Sequence, residues 1–181
     1  MPADALTGEF SVYTTIPIHE LPYPHGLGKH DYPELERAME RLLGPRLHEN
    51  QRANEAAFWT TDYQGLIEKY LKPRFDRDGD IVDIARRATN IARENPLLGQ
   101  RIYGRPDPSQ RYWEQLPDIG EEQPRYVKTW VDWPPDFTLY KDGIRRYADG
   151  RHRTSYLRSR IQQQDPDFEV LVRIDHASHR S

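Results

Sequence analysis

The stretch from Phe137 to Arg160, FTLYKDGIRRYADGRHRTSYLRSR, switches from strand-like to helix-like spacing across a glycine, and few chain paths accommodate that switch. Two short runs of strand-forming residues, Phe137–Tyr140 and Ile144–Ala148, meet at Asp142-Gly143, a pair suited to a tight hairpin turn. The second run ends at Asp149-Gly150, and Tyr156, Leu157 and Ile161 then recur at helical spacing. Strand, glycine and helix start in that order bring unpaired backbone N–H groups and a partial positive charge to one point. Gly150, Arg151, His152, Arg153 and Thr154 are therefore candidate phosphate ligands, with Arg153 as counter-charge. Asp149 either caps the helix or holds Mg²⁺ through its carboxylate, and capping is the simpler role. An ordinary helix start with exposed arginines is the competing reading. Arg145, Arg146, Arg158 and Arg160 read as a solvated face that adds to the local field.

Upstream, Phe10, Val12, Thr14, Ile16 and Ile18 alternate with Ser11, Tyr13, Thr15 and Pro17, which predicts a strand ending at a sheet edge. It runs into His19-Glu20 and then into LPYPHGLGKH, a loop shaped by two prolines and two glycines. Pro33 opens a helix whose Leu35, Met39, Leu42 and Leu43 should pack on the sheet, and Gly44-Pro45 stops it. Asn50–Trp59 reads as helical, and Tyr63, Leu66, Ile67, Tyr70 and Leu71 form a further apolar stripe before Pro73. Asp80 caps another helix carrying Ile81, Ile84, Ala85, Ala88, Ile91 and Ala92. From Pro96 to Pro124 the pattern fades, apart from a short helix after Pro108 with Tyr112, Trp113 and Leu116. Tyr126–Val131 is read as a strand. A last strand alternates Phe168, Val170 and Val172 with Glu169, Leu171 and Arg173.

Cysteine is absent, which excludes thiol catalysis, thiolate metal sites and disulfides. The formal charge of -3 gives no general attraction to nucleic acid, so anion binding must come from local clustering. No apolar run approaches the ~20 residues of a membrane span, and MPADALTGEF lacks a basic segment followed by an apolar one, so a cytoplasmic protein with no membrane partner is expected. Other motifs read as structural. His176 and His179 lack further ligands for a metal, DRDGD at Asp76–Asp80 is a turn plus helix cap, and Trp113, Tyr126, Trp130 and Trp133 suit a core better than base stacking.

The run DG-x-x-R-Y-A-DGRHR-x-S-Y-L, followed by an amphipathic helix and the strand FEVLVRID, resembles the core of the ParB/sulfiredoxin-like superfamily. TTIPIHELPYP resembles that family's first strand and following loop, and together the matching segments cover about a third of the chain. The resemblance implies an α+β fold: a small mixed sheet with the superfamily core in a single domain over residues 1–181, elaborated by a helical insertion at about residues 32–124. It also implies that the glycine turn binds the phosphates of a nucleoside triphosphate, ATP or CTP, with Mg²⁺. Sulfinic acid reduction is excluded, because Arg151 occupies the position of the required cysteine. The small serine kinases of the superfamily resemble the chain in the DG-x-HR turn and in a His-Glu pair after the first strand, here His19-Glu20. That likeness implies Glu20 as base on a small hydroxyl-bearing substrate, with His19 orienting it. The leading expectation is thus phosphoryl transfer to a hydroxyl acceptor or nucleoside triphosphate hydrolysis. The alternatives are a nucleic-acid-binding or nucleolytic module of phage or plasmid type, and a non-catalytic nucleotide-binding adaptor.

Overall fold

The computed structural model of the chain describes residues 10–28, 31–95, 97–103, 125–140 and 145–176. The Asp142-Gly143 turn, the helix expected after Pro108 with its Trp113, and His179 lie outside these residues. The fold is α+β. The first expected strand forms as β1, Phe10–Pro17, and joins β2 (Arg101–Tyr103), β3 (Asp136–Leu139), β4 (Arg145–Asp149) and β5 (Glu169–His176) in a mixed sheet of order β2-β1-β5-β3-β4. β1 runs antiparallel to β2 and β5, β3 runs parallel to β5, and β4 returns antiparallel to β3. Among the described residues β2 pairs only with Phe10–Val12, so Pro17 stands where β1 has no described neighbour on that side. Its missing N–H therefore interrupts no ladder.

Seven helices are described: α1 (Pro33–Leu43), α2 (Gln51–Ala57), α3 (Thr61–Tyr70), α4 (Lys72–Phe75), α5 (Ile81–Glu94), α6 (Arg125–Asp132) and α7 (Arg151–Ile161). Their starts follow from local chemistry. Asn50 accepts from the Ala53 amide, Thr60 from Tyr63, and Asp80 from Val82 and Asp83, each satisfying N–H groups that lack a helical acceptor. Pro73 does not end the helical region as expected but sits in the first turn of α4, where its missing N–H costs nothing.

Three expectations are corrected by the packing. Tyr126–Val131 is helical, because its buried residues Val127, Trp130 and Val131 fall at i, i+3 and i+4, and this apolar stripe outweighs the strand propensity of its β-branched and aromatic residues. Helix α1 packs on α3 instead of the sheet, while α5 takes the place against β5. The last strand is buried on both faces, with Leu171 and Arg173 inside as well as Val170 and Val172, because β5 is the central strand.

The first correction explains how β5 is completed. β3 pairs with β5 only from Arg173 onward, leaving the earlier half of that edge without a strand among the described residues. Two side chains take its place: Thr89 Oγ1 receives the Leu171 amide (3.1 Å), and Trp130 Nε1 donates to the Leu171 carbonyl (3.1 Å). Buried main-chain groups are thus paired by α5 and α6 where the ladder runs out. The surrounding core is aromatic-rich, with Tyr13, Phe58, Tyr63, Trp130, Phe137 and Tyr156 almost wholly enclosed.

Candidate functional site at the start of the last helix

The strand, glycine and helix start read from the sequence form as β4, Gly150 and α7. Gly150 adopts φ +87°, and a Cβ there would stand 2.8 Å from Pro135 Cα, so both backbone conformation and a close approach require glycine. Gly150 itself is the N-cap and no side chain caps the helix. The capping role expected of Asp149 is therefore corrected: its residue ends β4, one position too early, and is exposed. Thr154 closes the first turn, its amide (2.9 Å) and Oγ1 (2.8 Å) both reaching the Gly150 carbonyl. The amides of Arg151 and Arg153, which have no acceptor within the helix, make no hydrogen bond among the described residues.

The side chains of the turn bind the protein's own loops. Arg151 donates to His25 Nε2 (2.8 Å) and to the Gly28 carbonyl (3.1 Å), holding the HGLG segment against α7. Burial lowers the His25 pKa, and the Arg151 and Arg146 charges lower it further, which keeps the ring neutral and able to accept. His152 is buried, stacks on Tyr32 (centroids 4.4 Å) and bonds the Leu27 carbonyl through a ring nitrogen. Arg153 donates to the Trp133 carbonyl (2.6 Å) and lies over the Trp130 ring at 4.6 Å. Although Arg153 keeps some surface exposure, desolvation pushes its guanidinium down to about 10, so it remains a cation at neutral pH.

Arg158 is not part of a solvated face: it is 1% exposed. One of its terminal nitrogens, Nη2, donates to the carbonyls of Ile18 (3.4 Å), Leu21 and Pro22 (3.4 Å), and the guanidinium lies 3.9 Å from the Tyr23 ring centroid. With Tyr147 Oη donating to the Pro22 carbonyl (2.9 Å), it ties the loop after β1 to the middle of α7. Arg160 is also engaged, bonding Asp76 and Asp80 at 3.1 Å each, while Tyr156 Oη donates to Asp76. The DRDGD segment is thus a turn, a helix cap and a clamp on α7.

His19 and Glu20 form a 3₁₀ turn with Ile18, and both are exposed. His19 Nδ1 lies 2.7 Å from the Pro166 carbonyl, and Glu20 Oε1 lies 3.8 Å from His19 Nε2. Pro166 follows the C-terminal end of α7, whereas Gly150 begins it, and a helix of 11 residues is about 16 Å long. The structure therefore gathers Asp149–Thr154 at one end of α7 and His19-Glu20 near the other, with no hydrogen bond or ion pair between the two groups among the described residues.

Two clusters escaped the sequence reading. The first lies beside the turn: Glu36, His48 and Glu49, of which Glu49 and Glu36 act on Arg151 through their charge. A second His-Glu dipeptide, His48-Glu49, was its only signal. The second cluster lies in the sheet, where Asp136 (6% exposed) pairs with Arg173 (7% exposed) and Ser11 donates to Asp175. One guanidinium faces two carboxylates there. Burial foremost, and a hydrogen bond with Asp175, push Asp136 up to about 7. Asp136 Oδ1 is buried with no donor, which a proton shared with Asp175 would supply. Their separation in sequence hid this set. His176 stacks on Phe10 at 4.8 Å.

No family model, curated protein or solved structure matches the chain. No helix among the described residues is long and apolar enough to cross a membrane.

Proposed function

We propose that the chain binds the phosphates of a nucleoside triphosphate, ATP or CTP with Mg²⁺, at the junction of β4, Gly150 and α7, as its ParB/sulfiredoxin-like resemblance implies. One observation carries the reading: an uncapped helix start in which the Arg151 and Arg153 amides have no acceptor among the described residues, beside the guanidinium groups of the same two residues. Unpaired amides at the positive end of a helix favour phosphate oxygens. The Arg151 and Arg153 side chains act from their bonds to Gly28 and Trp133, adding charge without leaving the scaffold. Asp149, exposed at the end of β4, is available to a phosphate-bound Mg²⁺ through water.

Binding is better supported than transfer. A base must come within ~3 Å of the hydroxyl it activates. Glu20 stands near the far end of α7, so a hydroxyl acceptor would have to lie along the helix between the two groups. Calorimetric titration of ATP, ADP, CTP and GTP with Mg²⁺ tests the proposal. At least one nucleotide should bind, with Glu20→Gln leaving its affinity unchanged. Absence of heat for all four at about 1 mM would overturn the reading. Binding of an oligonucleotide instead, weakening steeply with salt, would favour the nucleic-acid alternative.

A further inference from the structure

Outside the phosphate turn, Glu36 on α1 and His48-Glu49 in the turn before α2 converge so that one ligand atom from each lies within 4.8 Å of the others. Three points so spaced always share a centre no farther than about 2.8 Å from each, and metal bonds to imidazole and carboxylate are about 2.0–2.2 Å. Neither carboxylate has an ion pair with Lys or Arg within 4.0 Å among the described residues. Arg151 compensates them only through a longer-range field. Among the described residues the His48 ring makes no hydrogen bond: Nδ1 is buried without a partner, and Nε2 stands 3.9 Å from Glu49 Oε1. Two carboxylates gathered around one imidazole repel each other, and a cation held among the three would relieve that repulsion.

The backbone packs closely around the three residues. A Cβ on Gly26 would stand 3.3 Å from Glu49 Cα and from the His48 carbonyl, and one on Gly28 would stand 2.5 Å from Glu36 Cγ. Both glycines of the HGLG segment therefore allow the loop to close directly on the residues of the cluster. Asn54 Nδ2 also donates to the His48 carbonyl (3.0 Å), anchoring that turn to α2.

We infer that Glu36, His48 and Glu49 form a binding site for a first-row divalent metal ion, of which Zn²⁺ and Mn²⁺ are the test cases. One imidazole and two carboxylates suit such ions better than Ca²⁺ or Mg²⁺, which favour oxygen ligands alone. Three protein ligands leave coordination positions to water, and Glu49 is exposed, so the ion is reachable from solvent. The inference stands without the phosphate proposal, because it uses no atom of α7 as a ligand.

Calorimetric titration of the full chain with ZnCl₂ and with MnCl₂, without nucleotide, is the test. One ion per chain should bind, and Glu49→Gln and His48→Gln should each weaken it by at least about ten-fold. Glu49 is exposed, so its substitution should leave the fold intact, which a circular dichroism spectrum unchanged from the parent's would verify. On the unaltered chain, substoichiometric Mn²⁺ should broaden the amide resonances of Gly26, Gly28, Glu36, His48 and Glu49 first. No binding tighter than about 1 mM, equal affinity in both variants, or broadening centred on His176 would each overturn the assignment.

Discussion

Asp136→Asn tests the reading of the buried carboxylate pair. In the native chain Asp136 is 6% exposed and shares one guanidinium, that of Arg173, with Asp175. Its pKa is raised from 3.8 to about 7, by burial first and the hydrogen bond with Asp175 second. Below pH 3.8 both folded and unfolded states hold the proton, so the stabilising contribution is fully present. Between there and about pH 7 only the folded state holds it, folding takes up a proton, and stability falls as pH rises. Roughly three units at ~1.4 kcal/mol each set a ceiling of about 4 kcal/mol, reached only if the proton belonged wholly to Asp136. Asn keeps an oxygen for Arg173 and supplies the N–H that stands in for the shared proton. The variant should therefore match the parent below about pH 3.8, exceed it increasingly up to about pH 7, and keep a constant lead above that. Urea unfolding of both proteins at half-unit intervals measures the difference, in which the seven histidines largely cancel. A difference that is constant across this range, or that grows as pH falls, would refute the shared-proton account.

Arg158→Ala should cost about 3–5 kcal/mol in chemical unfolding, because the carbonyls of Ile18, Leu21 and Pro22 lose their buried donor and Tyr23 its cation; a loss below 1 kcal/mol would return Arg158 to the surface. Thr89→Val keeps the side-chain shape but leaves the Leu171 amide unpaired, so a loss of about 1–3 kcal/mol and faster hydrogen exchange at Leu171 are expected. Gly150→Ala must place a Cβ 2.8 Å from Pro135 Cα in a left-handed conformation, and should lower stability by more than about 2 kcal/mol in the same assay.

Where local chemistry decides the structure, the sequence was a good guide. The helix start at Asp80 was visible because its side chain caps amides two and three residues away, and Asn50 and Thr60 cap their helices in the same local way. The junction at Gly150 was visible for the same reason, since strand, glycine and helix are contiguous. What misled was anything set by distant neighbours. Arg158 looks like one of several surface arginines, and its burial depends on carbonyls more than 130 residues earlier. The residues of α6 have strand propensity, but Trp130 and Val127 are claimed by a helical face that completes β5. The candidate site divides in the same way: the DGRHR turn could be read locally, whereas Glu36, His48 and Glu49 meet it only because Gly26 and Gly28 let a remote loop close. Glu20 could be proposed from a dipeptide, but its distance from Gly150 is a property of α7 lying between them.

The central claim is phosphate binding by the amides that begin α7. Titrating ¹⁵N-labelled protein with ATP and with CTP, each with Mg²⁺, and following the amide resonances, tests it most directly. Saturable shifts that are largest at Gly150, Arg151, His152 and Arg153, with His19 and Glu20 unmoved by the phosphates, are the predicted result. Amide resonances that stay in place at about 1 mM nucleotide, or shifts centred elsewhere in the chain, would contradict it.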